Sequence, residues 1–382
     1  MNFQPLINYI ETVLRAEKQV PGCALKIMRN HETLFRYVSG NKDYEAQIPA
    51  DGSELFYLYS CTKPVTCAAA LQLVEQGKLD LDTPVSRYLP EYADAFRLEN
   101  DKKIPVTQPI TIRNLFTMTA GLDGRMRSDP TLELIQKNPH ATTREIVSTF
   151  IRNRLLFEPG YRFEYGVCLD VLAAVIEVVS GMTVGQYMEE NIFRPLGMHD
   201  TGFTVPPEKQ SRIAAQYSCP EPGKIIPIPT TNGFQLTDRY ESGGAGLYSC
   251  LEDYSRFADA MACGGLGLTG NRILKPETVA QMCSDHLTGF VKEDAFGTCA
   301  GHGYSYGLGV RTLISKEHGQ RSSLGEFGWD GMAGTYIMMD TKYDLSIVFT
   351  MHVSGWPSCI GDGRKGLGHA PIRDLTYDIL GL

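Results

Sequence analysis

The sequence predicts an α+β protein in which an antiparallel sheet is flanked by N- and C-terminal helices and carries an inserted all-helical subdomain. Three observations lead there. Strand-like runs joined by short, turn-rich links occur near the N-terminus and again near the C-terminus, and the long stretch between them spaces its apolar residues at helical intervals.

Residues 1–20 place Leu6, Ile7, Ile10, Val13 and Leu14 at helical spacing, which predicts a surface helix. Ala24 to Met28 and Thr33 to Val38 read as two strands around the hairpin-length link Arg29 to Glu32. From Pro64 to Leu196 the period is helical, with segments at Val65 to Gln76, Thr111 to Thr119, Thr143 to Arg152, Val171 to Val179 and Val184 to Ile192. Gly77, Gly121 and Gly181 follow three of these, where a residue without Cβ accepts the left-handed turn that ends a helix. Strand character returns at Thr335 to Met339 and Leu345 to Met351, around the turn-rich Asp340 to Asp344, and Pro371 to Leu380 predicts a closing helix.

With 382 residues, 43% of them hydrophobic and 21% charged, the chain has the composition of an ordinary globular protein rather than a disordered or fibrous one. Its formal charge of -8 comes without a basic run or basic helix face, which argues against nucleic acid or an anionic membrane as partner. No stretch approaches the ~20 apolar residues a membrane helix needs, and residues 1–20 lack the apolar core and small-residue site of a signal peptide. A cytoplasmic location is the expectation. The ten cysteines form no C-x-x-C pair and read as reduced thiols and small core residues. No metal is expected, since His31-Glu32 is followed by Phe35 where a zinc helix would place its second histidine.

The stretch most suggestive of chemistry is Tyr59-Ser60-Cys61-Thr62-Lys63-Pro64, which opens a long apolar-faced helix. At i and i+3 on a first helical turn, the Ser60 hydroxyl and Lys63 amine share a face, and the free N–H groups there favour developing negative charge. A serine hydroxyl attacks poorly until a neighbouring base takes its proton, which a lysine can do when its surroundings favour the neutral amine. Taken alone, S-x-x-K also describes a helix-capping serine beside a solvated lysine.

The surrounding residues decide between these. Ser60-Cys61-Thr62-Lys63 is followed by Leu73-Val74-Glu75-Gln76-Gly77-Lys78-Leu79-Asp80, Ile110-Thr111-Ile112-Arg113-Asn114-Leu115, Thr119-Ala120-Gly121-Leu122, Pro195-Leu196-Gly197-Met198 and Asp253-Tyr254-Ser255-Arg256-Phe257. This series strongly resembles the class C β-lactamase-related serine hydrolases, and its motifs are closest to the family VIII carboxylesterases. The resemblance implies a β-lactamase/transpeptidase-like fold, with residues 1–382 forming one catalytic domain. Its α/β part would span about 1–63 and 240–382, and its mainly helical part about 64–239.

By the same resemblance, Tyr165, followed by Asp170-Val171-Leu172, would be a second proton-handling residue, and the N–H groups of Ser60 and Met332 would form the oxyanion hole. A phenol serves that purpose when a cation such as Lys63 stabilises its anion. Val167 stands where class C β-lactamases have asparagine, and Trp329-Asp330-Gly331 stands where they have Lys-Thr-Gly. Val167, Trp329, Asp330 and Gly331 would then contact substrate. The implied activity is hydrolysis through an acyl-enzyme on Ser60, without cofactor, of a small neutral ester. β-Lactam or D-amino-acid peptide hydrolysis and a catalytically silent penicillin-recognising sensor are the alternatives, and the oligomeric state is not readable. If Asp330 faces the cleft, its charge would repel a substrate carboxylate; if it is tied to a neighbouring donor, that charge plays no part.

One rival nucleophile exists. Gly303-Tyr304-Ser305-Tyr306-Gly307 spells G-x-S-x-G, but an elbow needs a helix after the serine, and the residues from Gly307 to Leu313 read as strand.

Overall fold

Strand Gly22–Arg29 buries side chains on both of its faces, because it lies in the interior of an eight-stranded antiparallel sheet. The structure, a computed structural model, describes residues 1–221, 223–289, 291–292, 302–356 and 369–382. Across the sheet the strands run Tyr304–Tyr306, Arg311–Leu313, Phe327–Asp330, Tyr336–Asp340, Leu345–Met351, Gly22–Arg29, Glu32–Asp43 and Ile48–Pro49. Cys23 pairs with Met351 and Arg29 with Leu345, so the N-terminal hairpin is knitted directly to the C-terminal strands.

The period-2 alternation sorts side chains into two cores. Leu25, Ile27, Met338, Ile347 and Phe349 face Leu6, Ile10 and Leu14 of the opening helical segment and Ile372 and Tyr377 of helix Ala370–Leu380. Ala24, Phe327, Trp329, Ile337 and Val348 face the other way, toward helices Thr62–Glu75, Cys168–Ser180 and Leu251–Ala262. Each fully buried Leu, Ile or Phe side chain contributes roughly 1.5–3 kcal/mol, which offsets the entropy of ordering three layers.

Local chemistry fixes the turns. Asn30 and His31 both have positive φ, 48° and 68°, as a two-residue hairpin link with the right twist requires. Asp259 caps this link, accepting the His31 N–H at 3.1 Å and pairing with its Nδ1 at 2.7 Å. The helices expected from Thr111 and Thr143 form as the shorter Ile112–Phe116 and Thr143–Phe150, each opened by a capping box, Thr111 with Asn114 and Thr142 with Glu145.

Three differences from the sequence reading stand out. The inserted region also holds strands: Phe96–Glu99 pairs with Lys102–Pro105 around the positive-φ pair Asn100 and Asp101, and Gln216–Glu221 pairs with Lys224–Ile228. Helices Asp129–Lys137, Leu251–Ala262 and Pro276–Met282 add to those anticipated. Cys219 is disulfide-bonded, whereas seven other described cysteines are free thiols, so reduced cysteines no longer support a cytoplasmic location. Among the described residues no single helix is long and apolar enough to cross a membrane.

Candidate active site

Strand Leu55–Tyr57, paired with Tyr248–Cys250, delivers the chain to a single 3₁₀ turn, Tyr59–Cys61, from which helix Thr62–Glu75 departs. Tyr59 carries φ of 47°, a conformation that costs a bulky residue on the order of 1–3 kcal/mol. Its ring is buried, and its hydroxyl donates to Gln216 Oε1 at 2.5 Å, which holds the turn in place. Pro64 sits in the first helical turn, where its missing N–H is not needed.

The Lys63 ammonium, 3% exposed, lies 3.2 Å from Ser60 Oγ and donates to the Gly244 carbonyl at 2.7 Å. It also sits over the ring of Tyr165, 4.6 Å from the centroid. The Tyr165 hydroxyl accepts from Trp329 Nε1 at 3.1 Å, and the two rings stack at 5.5 Å between centroids. No hydrogen bond joins that hydroxyl to Ser60 or Lys63 among the described residues. Four of the anticipated residues are therefore linked in a chain of contacts, Ser60 to Lys63 to Tyr165 to Trp329, although they come from three distant segments.

The strand that carries Trp329 is pressed against the Tyr59–Cys61 turn. Cys61 Sγ approaches the carbonyls of Trp329 at 3.6 Å and Thr335 at 3.5 Å, one on each side of the turn containing Gly331 and Met332. A Cβ on Gly331 would fall 2.5 Å from the Leu58 carbonyl oxygen, so only glycine permits this approach. Within the described residues neither the Ser60 nor the Met332 N–H donates to a protein acceptor. Both N–H groups are thus unspent among the described residues, and unspent donors are what a developing oxyanion requires.

Two anticipated substrate contacts are placed otherwise. Val167 is 2% exposed and caps helix Cys168–Ser180 from inside the core, so its side chain serves packing. The Asp330 carboxylate is held by Arg311 Nη1 at 2.6 Å, and Arg311 is itself buried. Its charge is paired rather than presented to a substrate, which removes the repulsion expected from an exposed aspartate. Met332 exposes its side chain, 44% accessible, beside the site.

The competing groups are accounted for. Ser305 lies fully buried in a strand that turns back into Arg311–Leu313, and it donates to Asp285 Oδ1 at 2.7 Å with no helix following. Burial keeps the Cys61 thiol well above its usual pKa and pushes that of Cys168 up to about 12, so neither is a thiolate nucleophile. His31, Asp259 and Cys263 bring ligand atoms within 4.8 Å of one another, but His31 and Asp259 are already spent on capping the hairpin.

The sequence reading missed the partners of these residues. Gly244 belongs to the run Ser242-Gly243-Gly244-Ala245-Gly246, whose glycine density was a visible sign of close backbone packing. Arg311 had no local signal.

Fold and site together define a serine hydrolase. A family model described as Beta-lactamase matches residues 7–365, and the chain belongs to that family. Among its relatives, Protein Rv1367c of Mycobacterium tuberculosis is 31% identical, over 86% of this chain and 84% of that one. Esterase EstB of Burkholderia gladioli is 27% identical, over 94% and 92%. Among solved structures, that of EstCE1, described as a hydrolase with promiscuous acyltransferase activity, superposes with a TM-score of 0.81 at 27% identity, covering 98% of this chain and 99% of that one.

Proposed function

We propose that the protein is a carboxylesterase acting on small neutral esters through an acyl-enzyme on Ser60. The observation that carries this reading is the 3.2 Å contact between Ser60 Oγ and the buried Lys63 Nζ. In its neutral form Lys63 accepts the Ser60 proton as Oγ bonds to the ester carbonyl carbon. The carbonyl oxygen becomes an oxyanion held by the N–H groups of Ser60 and Met332. Collapse breaks the bond to the alkoxy group, which leaves as an alcohol with a proton relayed from Lys63 by way of Tyr165. Water then attacks the acyl carbon with the same groups in reverse, releasing the acid.

Esterase EstB lends support to the ester as substrate class, and so does the tryptophan at position 329, which carries no charge. With Asp330 paired to Arg311, the strand Phe327–Asp330 offers no free charge to a substrate carboxylate, while the half-buried Tyr165 ring, stacked on the buried Trp329, offers an apolar wall. We therefore expect kcat/KM for short p-nitrophenyl esters to exceed that for cephalosporins by at least ~10²-fold. Equal or faster cephalosporin turnover would refute the ester assignment. Asp330→Lys is expected to destabilise the protein, since it would place two cations side by side in a buried pair.

The nucleophile is tested separately by fluorophosphonate labelling followed by intact-mass measurement. Ser60→Ala is expected to abolish the adduct, and Ser305→Ala to leave it unchanged; the reverse pattern would move the nucleophile to the Ser305 strand.

A further inference from the structure

One buried carboxylate in the core is not used by any step above. Asp170, 2% exposed in the first turn of helix Cys168–Ser180, gathers three donors from one short segment. Tyr240 donates its hydroxyl at 2.7 Å, Ser242 its hydroxyl at 2.5 Å and Gly244 its backbone N–H at 3.4 Å, all to the same Oδ1. The other face of the Gly244 peptide residue presents its carbonyl to Lys63 Nζ at 2.7 Å.

The segment is packed closely against Asp170. A Cβ on Gly244 would lie 2.7 Å from Asp170 Oδ2, and one on Gly243 would lie 2.4 Å from the Leu169 carbonyl oxygen. Thr66 Oγ1 donates to the Gly243 carbonyl at 2.7 Å, and the Leu247 N–H donates to Thr62 Oγ1 at 3.0 Å, so the loop is wedged between the helix of Lys63 and the helix of Asp170. Burial first, and the Asp170 charge next, raise the Tyr240 hydroxyl well above the ordinary tyrosine range, so it stays a donor.

From this arrangement we infer that Asp170 is a positioning residue for the acylation step: through Gly244 it fixes where the Lys63 amine points. The inference rests on the reading of Lys63 as the base for Ser60. An amine on a four-carbon stem has many orientations, and only those with its lone pair toward Ser60 Oγ accept the proton. A fixed carbonyl that takes one N–H removes most of the others. Asp170 supplies no proton and touches no substrate; its effect passes through the Gly244 carbonyl alone.

The test is a double-mutant cycle read as the rate constant for fluorophosphonate labelling of Ser60, per folded site, with KM for a p-nitrophenyl ester measured in parallel. Asp170→Asn is expected to slow labelling by about 10- to 100-fold with KM changed less than about 2-fold. In a Lys63→Ala background, the same Asp170→Asn change is expected to cost less than about 2-fold, because the group it positions is gone. Tyr240→Phe, which keeps the ring and loses only the hydroxyl, is expected to give a smaller fall of about 3- to 10-fold, and it carries the test if Asp170→Asn does not fold. Equal losses in both backgrounds, or an unchanged labelling rate in Asp170→Asn or Tyr240→Phe, would overturn the inference. A wild-type rate in Lys63→Ala alone would instead remove Lys63 from the mechanism, and that outcome is distinguishable because it appears without any change at Asp170.

Discussion

At the scale of single residues, Trp329 gives the sharpest prediction. Its indole N–H donates to the Tyr165 hydroxyl at 3.1 Å, and on the proposal that Tyr165 relays a proton this donor would assist the transfer. Trp329→Phe keeps the stacked ring and deletes only that donor. We expect kcat to fall about 10-fold with little change in KM, and Tyr165→Phe to cost the ~10²- to 10⁴-fold of a lost proton carrier. Steady-state ester kinetics on the folded variants check both, and a Trp329→Phe enzyme as fast as the wild type would show that the indole only packs. Ser60 and Lys63 were legible in the sequence because their contact is local, three residues apart at a helix start. Gly244 meets Lys63 from 181 positions away, and Asp330 finds Arg311 only because two antiparallel strands bring them together, so neither partner could be read from spacing.

At the scale of elements, the helix junction after Ser180 holds two acids where burial disfavours charge. Glu177 accepts the Val184 N–H at 3.2 Å and Glu241 accepts the Gly185 N–H at 2.7 Å, both near the start of helix Val184–Met188. Burial, reinforced by the Glu241 charge, raises the Glu177 pKa to about 7 from its ordinary 4.5. A raised folded value means that the stabilisation is complete below about pH 4.5 and disappears as pH climbs through 7. Glu177→Gln keeps an acceptor for the Val184 N–H and escapes that loss, so its stability relative to wild type should rise by about 1–2 kcal/mol between pH 4.5 and 8. Urea unfolding at the two pH values measures the difference, and a constant offset would show that Glu177 ionises freely. The element pattern itself was visible where period and punctuation agreed, as at Asn30-His31 and Gly181. It was missed at Phe96–Glu99 and Lys102–Pro105, a hairpin too short for its alternation to stand out, although Asn100-Asp101 announced the turn.

At the scale of the whole molecule, the two-sided sheet buries histidines in their neutral form. His352, donating from Nδ1 to the Ala214 carbonyl at 2.8 Å, is depressed by burial to about 4, and His369 to about 3 by burial and the Arg311 charge. A depressed folded value leaves the unfolded chain holding the proton first, so their contribution is full above about pH 6.5 and is lost as pH falls toward 4. His352→Phe should flatten the decline of Tm between pH 6.5 and 4.5, and an unaltered slope would show that this imidazole is not held neutral. The interleaved strand order has a further consequence for synthesis. Thr350 meets the carbonyl of Ala24 across 326 positions of sequence, and the Ser60 turn is completed by a strand more than 260 residues later. Until the ribosome has released the last third of the chain, the hairpin Gly22–Arg29 and Glu32–Asp43 has one unpaired edge, and Ser60 has neither Met332 nor Trp329 beside it. If Ser60 is the reactive serine, labelling by a fluorophosphonate is expected only after these distant strands have paired, and until then the hairpin presents an open strand edge on which other chains could template.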